Sequence, residues 1–501
     1  MAAQAFERPA DQPSQRHRWL VLAICCMSLL IVGLDTTIVN VALPAIHRSL
    51  RASVSGLQWT IDAYTLVLAS LVILAGSTAD RVGRRRVFQI GLVGFSAGSL
   101  LCGLAPSLPL LVAARVLQAI GGSMLNPVAM SIIRNVFEDP RERARAIGMW
   151  GAVFGLSMAM GPIVGGALVD SISWRAVFFV NVPIGLLAII LTAAFVPESR
   201  APRPRRLDPI GQLLVIVGLA TLTYAIIEAP RSGWLSAEIL GLFACSAASI
   251  AALIAYELRR FEPLIEVRFF RSAPFSGANA IAVLTFASLG GFLFLNTLYL
   301  QDVRGLSPLD AGLYLLPMAA MLLIASPVSG RLVARFGARP SMVAGGAGMA
   351  VGALLLTGLG PATAAPLLLA SYLLFGVGMG FENPPITNTA VSGMPGAQAG
   401  VAAAIASTSR QVGMTLGVAV IGAISGGAVA GSGIGRSFAS ATHPGWWIIF
   451  ALGTLIVIGG VVSTGTWAQR TARRTAEALE HRQSRRDPRV RRRAAAAPEP
   501  S

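Results

Sequence analysis

The stretch GSTADRVGRR, Gly76 to Arg85, closes a long apolar run and returns 254 residues later as GRLVARFGAR, Gly330 to Arg339, with Gly, Arg, Gly and Arg in register. A short basic loop repeated at that distance marks a chain built from two copies of one unit. Around each copy lie apolar stretches of about 20 residues, the length that crosses a bilayer. They begin near Trp19, Leu57, Val87, Pro109, Ala144, Arg175, Pro209, Leu235, Pro274, Ala311, Ser341, Ala365, Gly400 and Trp446, which gives fourteen spans. An even number agrees with the loops: Arg84 to Arg86, Arg141 to Arg145, Arg203 to Arg206 and Arg259 to Arg271 alternate with arginine-poor connections. With the halves taken as spans 1 to 6 and 9 to 14, each copy of the loop follows the second helix of its half, and spans 7 and 8 form an insertion. Twelve spans would result only if Pro209 to Glu228 and Leu235 to Glu257 stayed outside the bilayer, which their hydropathy opposes.

The expected fold class is therefore an all-α membrane protein. A tail, 1–18, leads into a six-helix bundle, 19–196. A linker with two inserted helices, 197–272, precedes a second six-helix bundle, 273–467, and an arginine-rich tail, 468–501, follows it. Composition agrees: 54% of the 501 residues are hydrophobic and 13% charged, against about 25% charged in soluble domains. Cys25, Cys26, Cys102 and Cys245 all fall in apolar stretches, so they are expected as buried thiols. The first apolar stretch, Trp19 to Val41, is too long for a signal-peptide core and is expected to remain as a span.

A formal charge of +17 would suggest nucleic acid in a soluble protein, but its placement decides otherwise. All forty basic residues are arginine; 32 fall on the side shared by both tails, 6 on the other and 2, Arg115 and Arg410, inside spans. Basic loops stay in the cytoplasm, so both tails are expected there. The segment from Arg470 to Arg493 reads as solvated and near anionic lipid, not as a nucleic-acid surface.

Several further motifs occur in order. LDTTIVNVALPAI spans Leu34 to Ile46, LQWTIDAYTL spans Leu57 to Leu66, RVLQAIGGS spans Arg115 to Ser123 and MGPIVGG spans Met160 to Gly166. With GSTADRVGRRR they resemble, over nearly the whole chain, the major facilitator superfamily and within it the fourteen-span drug:proton antiporters of the EmrB/QacA type. Ala119 departs from that pattern, standing where glycine is usual. The resemblance implies a major facilitator fold of 14 transmembrane helices. It also implies a bacterial cytoplasmic membrane and proton-coupled efflux of apolar or cationic organic compounds.

Each motif also has a physical reading. Gly76 and Gly83 bracket a tight turn, where a missing side chain permits close approach or positive φ. Asp80, with Arg81 and Arg84 beside it, can meet a helix N-terminus or an arginine in one bundle orientation only; in relatives this loop is a cytoplasmic latch. A basic loop that only sets topology is the plainer reading. The second copy carries Ala334 in place of Asp80, so an acidic latch belongs to the first half. Gly161 and Pro162 bend a span, and Gly165 and Gly166 admit a partner helix. By resemblance this is the antiporter seal; from the residues alone it is equally a packing kink.

Ionisable groups at bilayer depth are costly and face a cavity or a partner. Asp35 in the first span and Arg115 in the fourth, across the cavity in relatives, are the candidates for proton coupling. Burial favours the protonated acid and a close arginine the carboxylate, so changing their separation loads and releases a proton; a static ion pair is the alternative. Candidates for the substrate cavity are Asp62 and Tyr64 in the second span, Asn40, Gln118, Glu382 in GVGMGFENPP, and Arg410 with Gln411 in STSRQVG. Arg410 is expected to pair with an acid across the cavity or to brace helix packing. The expected partners are a small-molecule substrate, protons and the lipid bilayer, with an adaptor subunit left open.

No cofactor or metal is expected. The phosphate-cradling GxxxxGK[ST] pattern does not occur and the chain has no lysine to complete one, so ATP coupling within this chain is excluded. His17, His47, His443 and His481 lack metal-ligand spacing, which disfavours an enzyme. Three functions remain: multidrug efflux, dedicated export of one metabolite or antibiotic, and a sensor or scaffold that lost turnover.

Overall fold

The computed structural model describes residues 14–201, 207–260, 262–392, 394, 398–427 and 438–486. Expectations for residues 1–13, 203–206 and 487–501 lie outside them. The first half holds α1 (Gln15–Leu50), α2 (Val54–Val82), α3 (Arg84–Leu104), α4 (Leu108–Val136), α5 (Pro140–Ser171), α6 (Ala176–Phe179) and α7 (Asn181–Phe195). The inserted pair is α8 (Pro209–Ser232) and α9 (Ala237–Arg259). The second half holds α10 (Ala273–Leu298), α11 (Pro308–Tyr314), α12 (Leu316–Phe336), α13 (Ala338–Leu354), α14 (Ala365–Val391), α15 (Ala399–Gly427), α16 (Phe438–Ala441) and α17 (His443–Ser463), followed by α18 (Thr466–Arg486).

Among the described residues, 12 helical segments are long and apolar enough to cross a membrane. They match twelve of the fourteen expected spans. The remaining two differ for separate reasons: α13 has 17 residues, short of the roughly 20 that cross a hydrocarbon core. α15 is long, at 29 residues, but its centre is the polar run Ser407 to Gln411.

The sequence repeat becomes a spatial one. In the first half α1 packs on α5, α3 on α4, α2 on α4 and α3 on α7. In the second, α10 packs on α15, α13 on α14, α12 on α14 and α13 on α17, the same pattern shifted by one bundle. Both copies of the basic loop are tight turns on glycine in left-handed backbone space, Gly83 at φ +129° and Gly337 at φ +80°, where a Cβ would be strained. Gly76, expected to bracket the first turn, instead lies within α2.

Two seams join the bundles, α2 against α15 and α5 against α11 and α12. The hydrogen bonds and ion pair that join the two bundles, among the described residues, lie from mid-helix toward the face opposite α18, some in the α2–α15 seam and others between α1 and the segment that follows α10. Gln58 on α2 donates to the carbonyls of Val418 (3.1 Å) and Ala419 (2.9 Å) on α15. The Thr65 and Thr415 hydroxyls meet at 2.8 Å. Gln301 donates to the Val41 carbonyl at 2.9 Å, and Arg48 pairs with Asp302 at 3.3 Å. The molecule is thus closed at that face.

The insertion lies against the first seam. α8 packs on both α2 and α15: Gln212 donates to the Ser70 carbonyl at 2.6 Å, and Trp59 donates to Glu228 at 3.4 Å. Cys245, expected to be buried, is exposed on α9, because that helix covers its neighbours with one face only. The tail after residue 467, expected to be solvated, continues as α18. Its spacing Ala468, Ala472, Thr475, Leu479 forms a buried stripe, and Leu479 packs with Phe269, Phe275 and Ile405. Arg470, Arg473 and Arg474 occupy its exposed side.

Candidate functional site

Asp35 and Arg115 meet directly. Both side chains are sealed inside the first bundle, 0% and 1% exposed, with Arg115 Nη1 2.5 Å from Asp35 Oδ2. The other carboxylate oxygen accepts from Gln118 at 2.8 Å and Asn181 at 3.3 Å. Ser99 ties the two amides together, accepting from Gln118 (3.2 Å) and Asn181 (3.1 Å) and donating to the Phe178 carbonyl (2.9 Å). Arg115 spends further donors on the Thr60 carbonyl at 3.0 Å and on Gln118 Oε1 at 2.8 Å. Its guanidinium lies 4.1 Å from the centre of the Tyr64 ring, a desolvated cation–π contact.

Every group facing Asp35 in this cluster is a donor, and arginine does not give up its proton. Both carboxyl oxygens of Asp35 are thus satisfied by donors. Isolating an ion pair this way costs several kcal/mol per ion before partners compensate, and removing a single partner leaves the other charge stranded.

The cavity between the bundles lies on the other side of α1. Thr37, two residues and about 200° around the helix from Asp35, is its polar lining residue. It stands with Met158 and Pro162 of α5, Leu289 and Leu293 of α10, Met318 of α12 and Met379 of α14. So Asp35 does not face Arg115 across the cavity, as the resemblance had implied. The pair lies behind α1, and α1 separates it from the cavity.

The Met160–Gly166 motif holds α1 in that place from one side. A Cβ at Gly161 would strike Thr37 and come within 3.1 Å of the Ile38 amide nitrogen; one at Gly165 would lie 2.7 Å from the Ile38 side chain. Gly166 faces the other bundle, where a Cβ would strike the Pro308 carbonyl and lie 2.8 Å from Leu309 Cα. Gly312 returns the contact against the backbone of Pro162. One motif thus serves both an intra-bundle and an inter-bundle approach.

The other candidates scatter. Asp62 is fully buried and neither oxygen meets a donor at hydrogen-bonding geometry; Thr65 is its polar neighbour. It falls between Gln58 and Thr65 on the face of α2 that meets α15, in the closed seam and outside the cavity. Tyr64 and Gln118 join the Asp35 cluster. Asn40 bonds back to the Thr36 and Thr37 carbonyls. Glu382 is buried against Gly345 of α13, where its carboxylate fills the space a Cβ would need, apart from the cavity lining. Arg410 donates to Thr387 and lies 5.9 Å from the Phe286 ring centre. Gln411 precedes Thr415 by one turn and accepts from it through its carbonyl.

In the basic loop Asp80 takes the nearby arginine: Arg84 donates at 2.9 and 3.1 Å. Gly83 leaves room for Glu198, which accepts from the Arg85 amide at 3.1 Å, and the Asp80 carbonyl accepts from Ala201 at 3.0 Å. Arg81 is exposed. Asn181, Ser99 and Thr60 were not singled out in the sequence. Asn181, a lone amide in the apolar run of α7, was the available signal.

Residues 25–418 match the profile of the Major Facilitator Superfamily. The chain is 38% identical over 409 residues to multidrug resistance protein Stp of Mycobacterium tuberculosis (strain CDC 1551 / Oshkosh), covering 82% of this chain and 76% of that one. It is 36% identical over 434 residues to the tetracenomycin C resistance and export protein of Streptomyces glaucescens, covering 85% and 80%. The fold matches a bacterial homologue of the human lysosomal transporter Spinster with a TM-score of 0.64 at 19% identity, over 91% of this chain and 98% of that one.

Proposed function

This chain belongs to the Major Facilitator Superfamily of membrane transporters, and we propose that it expels small, mostly apolar organic compounds in exchange for protons. The observation that carries the reading is the sealed Asp35–Arg115 pair on the face of α1 turned away from the cavity. Any movement of α1 that admits substrate on one face alters the carboxylate's donors on the other.

The cycle follows from the closed face. We place α18 and both tails in the cytoplasm of a bacterial cell, in its inner membrane, on the strength of the arginine distribution. The closed seam then faces outward. Asp35 keeps its donors from Arg115, Gln118 and Asn181 in this arrangement, and the cavity takes substrate from inside. Opening outward parts α2 from α15, lets substrate leave and brings a proton to Asp35. Asp62, buried in that seam beside Thr65, meets water when the seam opens, and it is a second group for the same step. Moving one charge through about 100 mV supplies roughly 2.3 kcal/mol, over one decade of concentration at about 1.4 kcal/mol per decade.

We assign α13 and α15 to the membrane as well, which makes fourteen spans of the EmrB/QacA type with α8 and α9 as the insertion. Supporting this, α13 packs along α14 and α17, and α15 along α10 and α2. A dedicated exporter of a single antibiotic is the second reading, favoured by the name of the Streptomyces glaucescens relative.

The test is accumulation in proteoliposomes. Dyes and neutral antibiotics should concentrate in the lumen when the lumen is more acidic than the bath, and nigericin with equal potassium on both sides, which collapses the pH gradient, should abolish it. Accumulation of several unrelated compounds supports multidrug efflux, accumulation of one supports the dedicated exporter, and accumulation unaffected by the ionophore would refute proton coupling.

Alternation itself is testable at Thr65 and Thr415, whose hydroxyls meet at 2.8 Å. Thr65→Cys with Thr415→Cys, in a background without the native cysteines, should form a disulfide under mild oxidation and stop transport. Dithiothreitol should restore it. Full transport by the cross-linked protein would show that this seam does not open.

A further inference from the structure

Arg410 is a half-buried charge within the second bundle, one to two helix turns from the cavity lining, and among the described residues no carboxylate pairs with it. Phe286, under its guanidinium, lies one turn along α10 from the cavity-lining Leu289. Thr387, which accepts its hydrogen bond, lies two turns along α14 from the cavity-lining Met379. Residues at those spacings share a helix face, so Arg410 reaches from α15 across α10 to α14 at the α18 end of the cavity. Among the described residues no ion pair includes it. Its Nε is buried without an acceptor, and of five N–H donors one meets Thr387.

The acids of the interior are engaged or turned away. Asp35 is held by three donors behind α1, Asp62 lies in the α2–α15 seam, and Glu382 packs against Gly345. A half-buried guanidinium with unspent donors, beside the exposed Thr387 and near an apolar cavity, has the geometry to receive an oxyanion two-pronged.

We propose that Arg410 is a substrate-binding residue selecting amphipathic compounds that carry an organic oxyanion, a carboxylate or phenolate, on an apolar body. The body occupies the cavity between Leu289, Met318 and Met379, and the oxyanion replaces the missing acceptor at Arg410. The proposal rests on the efflux reading above and names the substrate class for its cavity. A purely structural Arg410 would bond helices and show no preference for charge on a ligand.

The experiment compares 9-anthracenecarboxylic acid with its methyl ester, both measured by fluorescence binding to the full-length protein in nanodiscs at pH 7. Wild-type protein is expected to bind the acid about tenfold more tightly than the ester, the scale of one hydrogen bond to a charged group. Arg410→Gln should bring the two within about threefold, and Arg410→Lys should keep part of the preference. Equal binding of acid and ester by the wild type, binding of neither, or a preference that survives Arg410→Gln would each overturn the proposal. The first two outcomes need no variant to fold. Tetraphenylphosphonium and the ester, assayed for proton-driven transport in the same preparations, separate the two claims. Transport without acid preference removes only the role of Arg410. Acid preference without transport of any probe removes the efflux reading and leaves the binding site.

Discussion

Asp35→Asn is expected to abolish proton-driven accumulation, to below about 1% of the wild-type rate, while leaving substrate exchange across the membrane measurable. Asparagine keeps the volume of aspartate, so α1 retains its packing. Its one oxygen can accept from Arg115, but its NH2 then faces the donors of Gln118 and Asn181, where the carboxylate oxygen had accepted from both. Arg115 is left without a counter-charge, and breaking a buried pair by removing one partner costs about 3–5 kcal/mol. The variant should therefore express less well. Exchange of labelled for unlabelled substrate requires only alternation and no net proton movement, so it reports whether the surviving protein still works as a carrier. Loss of both accumulation and exchange in folded protein would show that Asp35 serves binding or structure, and retention of both would show that the proton is carried elsewhere.

The second large effect separates two glycines five residues apart. Gly161→Val should destabilise the protein by about 1–3 kcal/mol, the scale of overpacking a close contact, because its side chain strikes Thr37 and Ile38 of α1 within one bundle. Gly166→Val meets the Pro308 carbonyl and Leu309 Cα of the other bundle, a contact made only while this face is closed. It should leave thermal stability nearly unchanged. If it disfavours the closed arrangement by about 3 kcal/mol, the ratio of closed to open protein falls roughly a hundredfold and turnover falls with it. Thermal unfolding in detergent measures the first, and transport together with thiol labelling at Thr65→Cys the second. The seam cysteine should become reactive in Gly166→Val. If both variants lose stability equally, the motif is packing alone.

Much of this was legible in the residues. The loop repeat foretold the bundle repeat because each copy needs a glycine turn at the same place in its half, and Gly83 and Gly337 supply it. Asp35 and Arg115 stood out since a charge at membrane depth requires a partner. Their environment was hidden: Asn181 and Ser99 carry no charge, and they matter only because α3 and α7 lie side by side. Thr65 and Thr415, 350 residues apart, are ordinary hydroxyls until the bundles meet. Glu382 was placed toward the cavity because the polar residues of α14 do not gather on one face, so periodicity does not tell which side turns to α13. The buried stripe of α18 was present in the spacing of Ala468, Ala472, Thr475 and Leu479, but the arginines between them dominated the reading.

The central claim is that one proton at Asp35 moves against substrate, and the reverse flux tests it most directly. Proteoliposomes holding a pH-sensitive dye, with no imposed proton gradient, would be given an outward-directed gradient of a transported neutral compound. The account predicts a lumenal pH change that follows substrate flux in wild-type protein and is absent in Asp35→Asn that still exchanges substrate. Substrate flux without any pH change in the wild type, or an equal change in the variant, would contradict it.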